Sequence, residues 1–260
     1  MIYFLTSGLI RAIVGQLVGM AIGVGLVNGI RAALGLAPDQ GLAWLVGGLL
    51  GVFMSLLFAG VLTDWLKWVG GRKTPMVHGP PENRPAWTRY FNVDYNHKVI
   101  GIQYGVTSIA VLIIGGILAI IFRLELSAAG LQFLTESQYN TIFSAHGIIM
   151  IASILLGVGA MSNYLVPMMI GAQDMAFPRL NAFSYWVAIP AALLIVLAMF
   201  IGNGWDTGWV AYPPLSVRGP LGTQLFLLGF YIIGFSSIAG SINLIVTVMT
   251  MRAPGMSLFR

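Results

Sequence analysis

The chain has 260 residues and no cysteine; 58% of it is hydrophobic, only 8% is charged, and the mean hydropathy is +0.88. Soluble domains carry roughly 25% charged residues, so this composition excludes a water-soluble enzyme, a disordered chain and a disulfide scaffold. A net charge of +5 would suit a nucleic-acid partner, but most of the excess basic charge sits in one stretch beside apolar runs, which indicates membrane topology and no nucleic acid.

Long uncharged runs make the protein an all-α membrane protein rather than a barrel, whose strands alternate polar and apolar residues. A crossing helix needs roughly 20 apolar residues, and six segments supply them. In chain order they are 12–30, 40–63, 99–122, about 142–170 within the uncharged run 137–173, 180–205 and 219–251. Pro213, Pro214 and Pro220 mark the loop before the last span.

Lys and Arg placement gives the direction. With the N-terminus cytoplasmic, the inner side holds Arg11, Lys67, Arg72, Lys73, Arg84, Arg89, Lys98, Arg179, Arg252 and Arg260, against Arg31, Arg123 and Arg218 outside. Both termini are therefore expected inside. The first span is long, has no A-x-A site and is closely followed by a second, so it reads as a span and not a cleaved signal.

Three parts follow: a transmembrane hairpin over 1–63, an inner-side polar linker over 64–98, and a four-helix unit over 99–260. The linker carries Pro75, Pro80, Pro81 and Pro85 with Gly70, Gly71 and Gly79, and reads as flexible. In the hairpin, Gly15, Gly19 and Gly23 recur every fourth residue, a spacing that lets another helix approach closely. Either the first span packs on the second there, or a partner subunit docks; the expectation carried forward for residues 1–63 is a partner subunit.

Polar residues at membrane depth are costly and therefore informative. His78 and His97 fall in the linker, where a solvated imidazole needs no explanation. His146 lies in the first turns of the fourth span, where it is either hydrogen-bonded to a neighbouring helix or a haem-iron ligand. Asp174 stands in a tight inner loop beside Arg179, with Asn163 before it and Asn181 after it. Tyr104, Ser184, Ser236, Ser237 and Asn243 lie within spans, where hydroxyls and amides either order water or bond their own helix.

The order of segments narrows these alternatives. His146-Gly-Ile-Ile-Met150, Asn163-Tyr-Leu-Val-Pro167, the run from Ile170 to Asn181, Ser184-Tyr-Trp186, Gly208-Trp-Val-Ala-Tyr-Pro-Pro-Leu215, Ser236-Ser237 with Ile242-Asn243, and Met251-Arg-Ala-Pro-Gly-Met256 follow one another in the chain, after Asn96-His-Lys98, Ile100-Gly101 and Tyr104. Together they resemble subunit I of the haem–copper oxygen reductases of the cytochrome c oxidase type, over about residues 92–260. Residues 1–91 resemble no family.

The resemblance implies a terminal oxidase that reduces oxygen to water and pumps protons. It implies that His146 is an axial ligand of a low-spin haem, in the segment that also holds Met150. Arg123 matches the arginine that hydrogen-bonds a substituent of that haem, and Trp209 the tryptophan near the propionates of the high-spin haem. Asp174 matches the proton-uptake carboxylate, Asn163 and Asn181 the asparagines of the channel mouth, and Tyr104, Ser184, Ser236, Ser237 and Asn243 polar residues along the channel.

Two departures stand out. The interval from His146 to Asn163 is about two residues shorter than the family's. The family's subunit I has twelve core helices, and only the first four are matched. The high-spin haem and copper are thus expected on another chain carrying the remaining helices, as in a split catalytic subunit. Such a piece is inactive alone and works with other oxidase subunits, with cytochrome c or quinol as donor, in a prokaryotic plasma membrane. The competing expectation is a non-catalytic scaffold or assembly protein derived from the same subunit.

Overall fold

The computed structural model describes residues 2–74, 79 and 83–257. His78, Pro75, Pro80, Pro81 and Arg260 lie outside the described residues. Among the described residues every regular element is helical: α1 (Ile2–Leu5), α2 (Gly8–Ala33), α3 (Gln40–Ala59), α4 (Val61–Val69), a 3₁₀ turn (Ala86–Phe91), α5 (His97–Glu125), α6 (Glu136–Met169), α7 (Pro178–Ala198), α8 (Leu215–Arg218) and α9 (Leu221–Thr250). Six of these, α2, α3, α5, α6, α7 and α9, are long and apolar enough to cross a membrane.

Local chemistry sets the ends. Ser7, Asp39, Asn96 and Thr135 cap α2, α3, α5 and α6 with their side chains, and Thr135 forms a capping box with Gln138. Pro178 opens α7, where its missing N–H costs nothing. The carboxylate of Glu125, at the end of α5, accepts the N–H groups of Gln132, Phe133 and Leu134 at 2.7–2.9 Å and so fixes the turn into α6.

The spans pair as three hairpins: α2 with α3, α5 with α6, and α7 with α9. The Gly15, Gly19 and Gly23 face is used inside the first of these. Cβ atoms there would meet the backbone of Met54, Leu50 and Gly51, and Gly47, all within 3 Å. The close approach is therefore α2 on α3, and these glycines offer no face to a partner subunit. The hairpin in turn rests on the four-helix unit: Gly8 lies under Trp186 of α7, and Gly48 against Leu228 of α9.

The second span stops at Gly60, which takes φ +101, and α4 begins at once. The described residues of 64–98 are ordered by local structure and by contacts. They carry most of α4 and the 3₁₀ turn; Asp64–Arg179 (2.9 Å) ties them to α7, and Arg89–Asp94 (3.0 Å) and a Tyr95–Asp64 hydrogen bond (2.8 Å) brace them internally. The core is the packed interior of the hairpins, with Trp186, Trp205, Phe226 and Leu194 fully buried.

Candidate functional site

Polar groups collect at two ends of the α5–α6–α7–α9 unit. At one end are His146, Phe122 and the loop that follows α7. The carbonyl of Gly115 can only accept, so the 2.9 Å contact to His146 Nδ1 puts the proton on Nδ1. Nε2 then carries the lone pair and is the nitrogen able to ligate a metal. Gly115 makes this approach possible: a Cβ there would lie 2.8 Å from Met150 Sδ. The Phe122 ring packs edge-on against the imidazole at 5.3 Å. Trp209 covers Gly147, whose Cβ would meet Trp209 Cδ1 at 3.3 Å, and Gly208 donates its N–H to Ser144 Oγ at 3.1 Å. Arg123 is exposed on the last turn of α5, one residue beyond Phe122. His146, Met150, Trp209 and the Arg123 turn thus lie at the same end of the unit. Among the described residues no three of His, Cys, Asp and Glu form a metal-binding group.

The opposite end is built around a proline. Pro167 lies inside α6 and has no N–H, so the carbonyl of Asn163, four residues earlier, loses its helical partner. His97 takes that position: its Nδ1–H donates to the Asn163 carbonyl at 2.8 Å. This corrects the expectation of a solvated linker histidine, because His97 is 2% exposed. Its backbone N–H donates to Asp174 Oδ1 (3.3 Å), as does that of Met175 (2.7 Å). Arg179, the other candidate for a hold on the Asp174 loop, bonds Asp64 and both oxygens of Thr74.

Above this mouth three hydroxyls cluster, one pair bonded to each other and two ending on backbone carbonyls. Tyr104 donates to Ser184 Oγ (3.0 Å), Ser184 to the Asn181 carbonyl (2.7 Å), and Ser236 to the Ser184 carbonyl (2.6 Å). Ser236 and Ser237 line a cavity of about 790 Å³ between the α5–α6 and α7–α9 hairpins, with Tyr104 and Asn163 also in its wall. Asn243 differs in kind: both ends of its amide bond the Phe177 backbone, at 2.8 and 3.1 Å, which ties the Asp174 loop to α9. Asn181 is fully buried, and neither its Oδ1 nor its Nδ2 has a partner among the described residues; Asn163 Oδ1 is likewise orphaned. Buried amides without partners are expensive unless water reaches them.

The sequence profile described as "Cytochrome C and Quinol oxidase polypeptide I" matches residues 99–260. The chain belongs to that family. "Cytochrome c oxidase subunit 1" of Thermostichus vulcanus is 46% identical over 183 residues, covering 68% of this chain and 33% of that protein. The same-named protein of Synechocystis is 43% identical over 177 residues, covering 67% and 32%. "Probable cytochrome c oxidase subunit 1-alpha" of Streptomyces avermitilis is 43% identical over 170 residues, covering 64% and 29%. The chain thus spans about a third of the length of the relatives it matches. It is a multi-pass membrane chain with bacterial oxidase relatives, and the resemblance read from its motifs is borne out.

Of the residues whose setting sequence reasoning misread, His97 stands nearest the Asp174 mouth in this oxidase-family chain. The available signal was the pair Asn163 and Pro167: a helix proline leaves a carbonyl four residues back in need of a donor. Thr107, which sequence reasoning passed over, is bonded to Tyr185 OH at 3.0 Å across α5 and α7.

Proposed function

We propose that residues 99–260 supply the N-terminal part of the catalytic subunit of a terminal oxidase, which reduces oxygen to water and couples this to proton movement. The carrying observation is the mouth at Asp174: the buried Asn181 amide and Asn163 Oδ1, without partners among the described residues, near a carboxylate and below the Tyr104, Ser184 and Ser236 hydroxyls. A structural core would satisfy these amides with protein; water-filled uptake paths need them open. Asp174 takes protons from the aqueous side, Asn163 and Asn181 order the water that receives them, and the hydroxyls continue the path at membrane depth. Asn243 serves this path by holding the Asp174 loop on α9.

At the other end, His146 would hold a low-spin haem through Nε2, with Gly115 fixing its tautomer and Met150, Arg123 and Trp209 around the group. Bound haem supplies one-electron transfer from a cytochrome c or quinol donor. The high-spin haem and copper of this family would be liganded by residues beyond these 260. The setting is a prokaryotic plasma membrane, with the Asp174 end on the cytoplasmic side.

The test is Asp174→Asn, which keeps the shape and cannot titrate. The complex should assemble and bind haem normally, turn over slowly and lose proton pumping. Oxygen consumption and proton release on the same membranes decide it, and full turnover with intact pumping refutes the uptake role.

A further inference from the structure

The helix α4 precedes the family match, and the oxidase chemistry above does not use it. Its level in the membrane is nonetheless fixed by three span ends. It follows α3 directly at Gly60, Asp64 on its first turn bonds Arg179 at the start of α7, and the same carboxylate accepts from Tyr95, just before α5. Arg179 also lies 5.7 Å over the Trp68 ring. Val61 is buried, and Trp65 packs on Phe183 at 6.0 Å.

The remaining surface of α4 has two chemistries. Leu66 and Val69, one turn apart, are 61% and 75% exposed, and Trp68 is 55% exposed. Beside them the helix ends in a Schellman turn: Gly71 N–H donates to the Trp68 carbonyl (3.0 Å), Arg72 N–H to the Lys67 carbonyl (2.9 Å), and Gly71 takes φ +75. That turn folds Arg72 back toward Lys67 and brings Lys73 with it, so three exposed cations gather at the negative end of the helix dipole. None of the three has a carboxylate partner among the described residues, because Asp64 and Asp94 are held by Arg179 and Arg89.

We propose that α4 lies in the headgroup layer of the membrane at the Asp174 end and that Lys67, Arg72 and Lys73 bind anionic phospholipid headgroups there. Charge complementarity favours this occupant. At this depth a lipid leaflet offers acyl chains to Leu66 and Val69, an interfacial position to Trp68, and negative charge to the cations.

Two measurements on the purified complex containing this chain test it. In phosphatidylcholine vesicles, spin-labelled phosphatidylglycerol should associate in preference to spin-labelled phosphatidylcholine, and salt should weaken that preference. Lys67→Gln/Arg72→Gln/Lys73→Gln should remove most of it at low ionic strength. An unchanged preference overturns the proposal. Because the chain has no cysteine, Leu66→Cys gives it a single labelling site without touching the cations. A nitroxide there should be open to oxygen and shielded from a water-soluble nickel complex. Shielding from both means that protein covers α4, and equal access to nickel means that it faces water; either result also overturns the proposal.

Discussion

Gly19→Leu should open the α2/α3 hairpin, whereas Gly25→Leu on the same helix should be neutral to slightly stabilising. A Cβ on Gly19 would stand 2.6 Å from the Leu50 carbonyl oxygen, 2.7 Å from Gly51 Cα and 2.9 Å from Gly51 N. All three are backbone atoms, so no side chain can rotate away. Carbon contacts relax to about 3.5–4.0 Å, so the helices must part by roughly 1 Å, enough to forfeit a quarter to a half of each neighbouring contact. The contacts at Gly15 and Gly23 would loosen with it. Overpacking of this kind costs about 1–3 kcal/mol and sometimes more, and leucine recovers up to about 1 kcal/mol through its better helix propensity. The expected net loss is about 1 kcal/mol, and more where the hairpin cannot relax. Gly25 has nothing within 4 Å, so leucine there meets only the surroundings of the helix. Thermal melting of the purified protein in detergent, followed by tryptophan fluorescence, compares the two variants directly. If Gly19→Leu melts no lower than Gly25→Leu, the glycine face is not closed on α3 and the packing argument fails.

His146→Leu should abolish the low-spin haem band of the assembled complex while leaving the hairpins folded; an unchanged optical spectrum would remove His146 as ligand. Asp64→Asn weakens the hold on Arg179 and releases α4 from α7, so limited proteolysis should cut residues 61–74 faster than in the native protein, with the cleavage sites read by mass spectrometry. Burial and the hydrogen bond to Asp64 raise the Tyr95 phenol pKa above its ordinary value of 10.0. The folded state therefore holds that proton more tightly than the unfolded state. The resulting stability is complete below pH 10 and is lost as pH rises above it, so Tyr95→Phe should flatten the alkaline fall in melting temperature.

Composition and spacing alone determined that this is a helical membrane chain with six spans, because a bilayer imposes a length and an apolarity that few other folds satisfy. The motifs around His146, Asn163 and Asp174 carried the family, since several ordered segments constrain one another. Partner choice was not legible. Gly15, Gly19 and Gly23 announce a close helix approach but cannot say whose; only the hairpin geometry assigns it to Gly47 and Gly51. His97 looked solvated because its neighbours in sequence are polar, yet the carbonyl freed by Pro167 draws it into the core from 66 residues away. Asn181 and Asn243 are the same residue type at similar depth; tertiary structure gives one a backbone partner at each amide end and leaves the other unpaired. Hydrogen-bond satisfaction is a property of what surrounds a side chain in space, and the order of residues along the chain does not contain it.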